Sequence, residues 1–273
     1  MSTPQLPQSA LNRLQGSGSG KRLFSGNILP RDLLNLRQQG FKPQGLVFGA
    51  SVYSLSTWNA SYMSMGELTY LTDGYGEAFY NALTRLEEEA SALGADGVID
   101  AVPIFTALAG EGLIEVRIFG TAIEHSSNSN FTNQRGKPFV THLSAAEFCG
   151  IYRQGYIPTG LCYGFGNVPS GYSLGAGSWS NMEEPYITQS IYKARNLAMT
   201  RAVQWAEANG ATGIVGLNLE MDYFTPDSQS GFTWLICTAA GTTIRQVYDA
   251  GHSLPKSTFY IPLNDKTKDE IEL

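Results

Sequence analysis

The sequence has few charged residues and no long apolar run. Only 15% of its 273 residues are charged while 42% are apolar, which excludes an intrinsically disordered chain. No stretch approaches the roughly 18 apolar residues of a membrane-spanning helix. The net charge of −6 disfavours a generic phosphate-binding surface. We therefore expect no nucleic acid among the partners and no membrane span.

Cysteine is scarce, and the usual motifs of chemistry are missing. Cys149, Cys162 and Cys237 are an odd number of cysteines, which favours reduced thiols and a cytoplasmic setting. There is no Cys-x-x-Cys, no His-Glu-x-x-His and no Gly-rich phosphate loop. The histidines form no Ser-His-Asp or Cys-His set. We therefore expect no catalytic residues and no enzymatic activity.

What the sequence does contain is an internal repeat. The segments 38–49 and 153–164 share Gly, Pro, Gly, Leu and Gly at matching positions, and the dipeptide Thr84-Arg85 recurs as Thr200-Arg201. Because several matches follow one another in the same order, the sequence predicts a tandem duplication. The predicted organisation is a flexible tail at 1–22, repeats at 23–131 and 132–250, and a C-terminal arm at 251–273.

Each repeat has the pattern of an α+β unit. A short helix, a strand, a long helix and a two-stranded hairpin are predicted in that order. In the first repeat they cover 30–39, 44–53, 71–93, and 97–105 with 112–124. In the second they cover 144–154, 159–168, 187–209, and 213–223 with 231–246. The predicted fold class is therefore α+β, with two tandem copies of a three-stranded antiparallel sheet packed on one long helix. Each copy also has a short leading helix.

Local signals support the helix bounds. Ser144 and Glu147 have the spacing of a capping box, in which each side chain satisfies a free backbone amide. Gly40 and Gly155 stand where a short helix needs a residue at positive φ to end. Because three strands have bare edges that invite pairing, we expect the other repeat to cover one edge and a neighbouring subunit the other.

The repeated motifs resemble the YbjQ-like family, often described as a heavy-metal-binding domain. The resemblance rests on the Gly-Leu-Val/Cys-x-Gly strand, the long helix beginning Tyr-Leu/Ile-Thr and containing Thr-Arg, and the strand ending in Gly-Thr-Ala/Thr. It covers about 24–124 and 139–245. The resemblance implies a dodecin-like fold and ring oligomers of pentameric type.

A metal site is one candidate for function. Cys149, Cys162 and His142 offer a thiolate and imidazole set of the kind that binds zinc or copper(I). The alternative is that both cysteines are small core residues, which is common for free cysteine. No other cofactor is expected.

Two long loops, 54–70 and 169–185, are rich in aromatic and methionine residues. They are predicted to form a contact surface for a neighbouring subunit or a pocket for a flat ligand. The alternative is that they cover their own cores. The candidate residues are Trp58, Tyr62, Met65, Tyr70, Tyr172, Trp179, Met182 and Tyr186.

Two further segments are interpreted by their chemistry. The C-terminal arm carries an apolar patch of Phe259, Tyr260, Ile261 and Leu263, predicted to dock into an adjacent subunit or another protein. The run Glu87–Glu89 lies on the first long helix, where successive residues point in different directions. We expect that run to be a solvated face, with Glu88 or Glu89 paired to Arg85.

The sequence therefore predicts a non-enzymatic, self-assembling cytoplasmic protein that forms a ring-like pentamer or a larger homo-oligomer. A metal- or small-ligand-binding module with sites at subunit interfaces is the alternative.

Overall fold

The computed structural model describes residues 6–15, 26–54, 67–108, 113–127, 131–170, 183, 185–224 and 234–247. Within these ranges it contains five helices and seven strands in two sheets. The helices are α1 (Gln8–Gln15), α2 (Pro30–Gln38), α3 (Thr69–Ala92), α4 (Ala145–Arg153) and α5 (Pro185–Ala208). The strands are β1 (Phe41–Ser54), β2 (Gly97–Leu108), β3 (Leu113–His125), β4 (Phe139–Val140), β5 (Tyr156–Pro169), β6 (Gly213–Phe224) and β7 (Trp234–Gln246).

The two sheets repeat one strand order. Sheet 1 has the order β1-β3-β2-β4 and sheet 2 the order β5-β7-β6. Neighbouring strands are antiparallel except that β4 pairs with β2 in parallel. The α+β prediction is confirmed, and the two-residue strand β4 is an addition that the sequence pattern did not predict.

The irregularities of the two sheets also coincide. The pairing of the first strand with the last shifts between Pro43 and Gly45 in sheet 1, and between Pro158 and Gly160 in sheet 2. Proline has no N–H to donate to the ladder, so a bulge is expected beside it. The two halves of the chain are therefore built on the same backbone plan.

One glycine in each half lets the long helix approach the sheet closely. A Cβ placed on Gly49 would lie 2.0 Å from the backbone oxygen of Ala82 in α3, and one on Gly164 would lie 2.0 Å from that of Ala198 in α5. No side chain fits at such a distance, so the contact requires glycine. Because these residues point toward the helices, alternate residues of β1 and β5 point away from them.

The predicted helix signals are confirmed. Gly40 and Gly155 have φ values of 82° and 84° just beyond α2 and α4. The Ser144 side chain accepts a hydrogen bond from the Glu147 backbone N–H, and the Glu147 side chain accepts one from the Ser144 N–H, so the capping box is complete.

The N-terminal segment differs from its prediction as a flexible tail. Residues 8–15 form α1, whose Arg13 donates to the Leu46 backbone oxygen at 3.1 Å and pairs with Glu89. A short helix is marginal by itself in water. These tertiary contacts, which local composition does not reveal, therefore stabilise it.

The second half of the chain covers one edge of sheet 1, as expected, because β4 lies in the second repeat and pairs with β2. Helix α3 also contacts both sheets, because its Ala82 lies against Gly49 in sheet 1 and its Phe79 ring is 4.1 Å from the Tyr163 ring in sheet 2. One apolar cluster contains residues of α3 and of both sheets, among them Val47 and Phe165. The order of layers is therefore sheet 1, α3, sheet 2 and α5.

Candidate assembly interface

The outer edge of each sheet is closed by side chains from the helix above it. Arg85 of α3 donates to the Ala50 backbone oxygen of β1, and Arg201 of α5 donates to the Phe165 oxygen of β5. Ala50 and Phe165 are equivalent in the repeat, as are Arg85 and Arg201. An edge strand with free carbonyl groups can pair with another chain, and these arginines occupy those groups.

The remaining edge groups are satisfied differently in the two halves. Trp205 Nε1 donates to the Leu161 oxygen at 2.9 Å. In the first half the equivalent Leu46 oxygen accepts from Arg13, and Glu89 Oε2 accepts from the Phe48 N–H at 2.8 Å. The edges of β1 and β5 are therefore occupied in part by side chains of the same chain.

Polar contacts at the start of α3 join the two halves of the chain. Glu67, just before α3, pairs through both carboxylate oxygens with Arg201 of α5, with Nη2 to Oε2 at 2.8 Å. Asn167 Nδ2 donates to Thr72 Oγ1 at 3.0 Å, and the Asn167 backbone oxygen accepts from the Leu68 N–H at 2.8 Å. Paired geometry of this kind fixes orientation as well as adding energy.

The ion pair also controls the titration of Glu67. Burial raises the pKa of this carboxyl, but hydrogen bonds from Arg201 and Thr72, together with the charges of Arg201 and Lys193, outweigh it and leave the pKa below its usual value. The carboxylate is therefore favoured in the folded chain.

Aromatic rings fill the rest of this contact between halves. Phe79 meets Tyr163 at 4.1 Å, and Tyr75 meets Phe165 at 5.5 Å between ring centroids. Tyr70, a residue predicted to lie at an interface, packs edge-on against Trp234 of sheet 2 at 6.1 Å. Tyr70 therefore lies in an interface within the chain.

The face of sheet 1 that points away from α3 exposes several apolar side chains around the Arg117–Glu115 ion pair. We call it the outer sheet face. Val52, on the edge strand, is 59% exposed. The Phe48 and Phe119 rings are directly paired across β1 and β3 and stack at 6.1 Å. The exposed apolar residues of this face are Phe48, Val52, Val102, Ile104 and Phe119.

Sequence reasoning did not identify this face, although a signal was present. Leu46, Val47 and Phe48 are consecutive apolar residues. A strand with one solvated face alternates between apolar and polar residues, whereas an uninterrupted run indicates burial on both faces. In the single chain only one face of sheet 1 is covered by α3.

Helix α5 has a second uncovered surface, which we call the outer α5 face. Its inner face is a stripe of alanines, Ala194, Ala198, Ala202 and Ala206, buried on sheet 2. On the flank of this stripe Tyr192 and Val203 are exposed. Tyr186, another residue predicted for an interface, is 67% exposed at the start of the helix.

The other predicted interface residues lie outside the described part of the chain. This applies to the loop residues Trp58, Tyr62, Met65, Tyr172, Trp179 and Met182, and to the arm residues Phe259, Tyr260, Ile261 and Leu263. Their roles stay predictions.

The three predicted metal ligands do not come together. Cys149 packs in an aromatic cluster with Phe41 and Phe148, whereas His142 and Cys162 line a separate cavity between the sheets. His142 is engaged in hydrogen bonds with Thr242 and the Gly216 backbone. Across the described residues, no group of three or more His, Cys, Asp or Glu side chains could hold a metal ion.

The thiols have the properties of core residues. All three cysteines are free and buried. Burial raises the pKa of Cys162 to about 11 and also raises the pKa of Cys149 and Cys237. A raised pKa disfavours the thiolate, which is the form that binds metals.

The acidic run on α3 is not the solvated face that the sequence predicted. Glu87 accepts from Arg135 Nη2 at 2.5 Å, and its side chain is only 4% exposed. Glu89 is equally buried and pairs with Arg13. Burial, opposed by the charges of Arg135 and Lys137, raises the pKa of Glu87 to about 7. Arg85 instead donates to the sheet edge.

No helix in the described ranges is long and apolar enough to cross a membrane. The described arrangement is that of a layered α+β protein with exposed apolar side chains on its first and last layers.

Comparison with known proteins identifies the family. The chain is 30% identical over 259 residues to the encapsulin nanocompartment protein Rv1762c of Mycobacterium tuberculosis, across 89% of this chain and 93% of that protein. The chain therefore belongs to the same family as that nanocompartment protein. No family model matches the chain, so the likeness to YbjQ-like proteins remains a resemblance.

Proposed function

We propose that this protein is a non-enzymatic, self-assembling component of an encapsulin-type nanocompartment. The observation that carries the proposal is the outer sheet face, where Phe48 and Phe119 stack in register and Val52 is exposed further along the same strand. Exposed aromatic and apolar side chains rimmed by charged residues are typical of a site of contact with protein. The family relationship to a nanocompartment protein supplies the kind of assembly.

The proposal extends to the origin and number of the building units. Both halves derive from one YbjQ-like unit by tandem duplication, and the shared strand order and bulges support this. Five chains in a ring remain the count that the resemblance implies, while symmetry alone fixes no number. The unpaired cysteines support a reducing, cytoplasmic setting.

Electron microscopy of the purified full-length protein tests the proposal. We expect closed or ring-like particles of uniform size. Single, unassociated chains at micromolar concentration would contradict it. In a second experiment, extracts of the cells that naturally make the protein are fractionated by sedimentation. We expect the protein to co-sediment with nanocompartments. Recovery only in the fractions of a free chain would exclude a place in such a compartment.

A second element of the proposal concerns the C-terminal arm. Its apolar patch, followed by charged residues, fits a docking segment for another protein of the same assembly. A chain ending at residue 256 is expected to keep its fold and its own assembly while losing co-sedimentation with nanocompartments. Unchanged co-sedimentation would show that attachment does not need the arm.

A further inference from the structure

The contact between the two halves of the chain is a complete example of how one repeat packs on the other. In it, sheet 2 lies on α3, Arg201 meets Glu67, and Trp234 meets Tyr70. Each group has an equivalent in the opposite repeat. Those equivalents lie on the first and last layers of the fold, where no second sheet or long helix of the same chain covers them in the described structure.

The arginine of this contact has an equivalent without an acidic partner. Arg85 and Arg201 occupy the same place in the repeated Thr-Arg dipeptide, and both donate to the edge strand beneath their helix. Arg201 also binds the Glu67 carboxylate. Within the described ranges Arg85 makes no ion pair.

The glutamate has an equivalent as well. Glu67 accepts a hydrogen bond from Thr72 at 2.9 Å, and Glu183 accepts one from Thr188 at 2.9 Å. The two carboxylates are therefore held in the same way at the start of their helices. Glu183 is exposed, and it has no cationic partner among the residues described.

The apolar part of the contact is repeated only in part, because Phe79 and Phe165 correspond to Arg195 and Ala50. In the strand register Trp234 lies opposite Pro169, the last residue of β5, and Leu113 lies opposite Ser54, the last residue of β1. Trp234 and Leu113 are therefore equivalent. Trp234 is covered by Tyr70, whereas Tyr186, the equivalent of Tyr70, is 67% exposed. Likewise the Tyr163 ring packs on Phe79, while its equivalent Phe48 remains exposed.

We propose that copies of this chain associate head to tail, with the outer sheet face of one copy on the outer α5 face of the next. Arg85 of the first copy then pairs with Glu183 of the second, as Arg201 pairs with Glu67 within the chain. Leu113 of the first copy packs on Tyr186 of the second. This inference rests on the proposed self-assembly and assigns its interface.

The rotation between neighbouring copies decides whether the head-to-tail assembly closes into a ring. A contact between two different surfaces generates a ring if its rotation closes, and an open filament if it does not. Because each chain contributes two equivalent units, a closed ring of this kind contains an even number of units whatever the number of chains.

Helix α1 lies in the way of this contact. The crevice beside Tyr163, Phe165 and Arg201 has residues 72–80 of α3 as its other wall. The equivalent crevice beside Phe48, Ala50 and Arg85 is walled by residues 6–13, most of which belong to α1. A neighbouring α5 placed as α3 is placed would meet α1, so α1 moves aside when copies associate.

Charge reversal on the full-length protein tests the pairing. The variants Arg85→Glu and Glu183→Arg each place like charges at the proposed contact. Each is expected to raise the midpoint concentration for assembly on the order of a hundredfold. The double variant restores assembly. A mixture of the two single variants also restores association, because a contact between unlike copies places opposite charges together, although a ring of five chains keeps one contact between identical copies.

The controls separate this inference from the proposed function and from misfolding. Circular dichroism and thermal unfolding check that each variant folds. If Arg85→Glu misfolds because Arg85 also binds the Ala50 oxygen, Val52→Glu takes its place, since this residue is 59% exposed on the outer sheet face. Normal assembly of folded Glu183→Arg and Val52→Glu would overturn the inference and leave the proposed function standing. Failure of the unmutated full-length protein to assemble would refute the proposed function itself.

Discussion

Glu67 and Arg201 form an ion pair through both carboxylate oxygens that joins the start of the first long helix to the second repeat. Arg201 also donates to the Phe165 backbone oxygen at 2.6 Å. One arginine therefore closes the edge of sheet 2 and holds the two halves of the chain in register.

Removing the charge of Glu67 is expected to destabilise the single chain. Glu67→Gln loses a partly buried, charge-assisted pair, and we expect the free energy of unfolding to fall by about 2 kcal/mol. Because the pKa of Glu67 is lowered in the folded state, its contribution is present above its ordinary pKa and is lost as the pH falls through the folded value. Urea unfolding at neutral and acidic pH measures both effects.

Glu183→Gln is the matched control for this variant. Glu183 has the same bond from a threonine, but no cationic partner among the described residues. We expect unchanged stability of the single chain and weaker assembly. An equal loss of chain stability in both variants would show that Glu67 gains nothing from Arg201.

The titration of Glu87 is expected to make stability depend on pH in the opposite sense to that of Glu67. Its pKa is raised to about 7 by burial, so its contribution favours folding below pH 4.5 and is lost as the pH rises through about 7. The total change is on the order of 3 kcal/mol. Glu87→Gln keeps the shape and removes the titration. The difference in stability between the natural sequence and this variant should therefore vary between pH 4.5 and 7, and a constant difference would contradict the assignment.

Gly164 tests the close approach of helix and sheet. A methyl group at this position would lie 2.0 Å from the Ala198 backbone oxygen. We therefore expect Gly164→Ala to lower the free energy of unfolding by about 3 kcal/mol, the upper end of the usual cost of overpacking. Gly76 in α3 is the control, because a Cβ there meets nothing within 4 Å. Gly76→Ala is expected to stabilise the chain by up to about 1 kcal/mol. Thermal unfolding of both variants distinguishes the two.

Removal of residues 1–15 tests the position of α1. Because α1 forms the crevice wall that a neighbouring helix would take, we expect the truncated chain to assemble at lower concentration than the full chain. Light scattering across a dilution series measures the midpoint. Loss of assembly on truncation would mean that α1 belongs to the interface.

Much of the fold could be predicted from sequence because the repeated signals are local. Gly40 and Gly155 end their helices, and Ser144 with Glu147 begins one, as the pattern indicated. The packing of one half on the other could not be predicted in this way. It depends on α3 having two buried faces, whereas the spacing of its apolar residues indicates only one buried face.

The candidate site was predicted only in part. Tyr70 and Tyr186 were identified as aromatic interface residues, and the structure places Tyr70 in the contact between halves and Tyr186 on an exposed equivalent position. The pairing of Glu67 with Arg201 joins residues far apart in the chain, and no local motif signals it. Buried Glu87 and Glu89 were misjudged because three adjacent glutamates normally mark a solvated surface.

Absolute mass by multi-angle light scattering tests the central claim most directly. For the purified full-length protein at micromolar concentration, we expect one species whose mass is a multiple of the 29.6 kDa chain. The mass of a single chain, unchanged over the dilution series, would contradict the account.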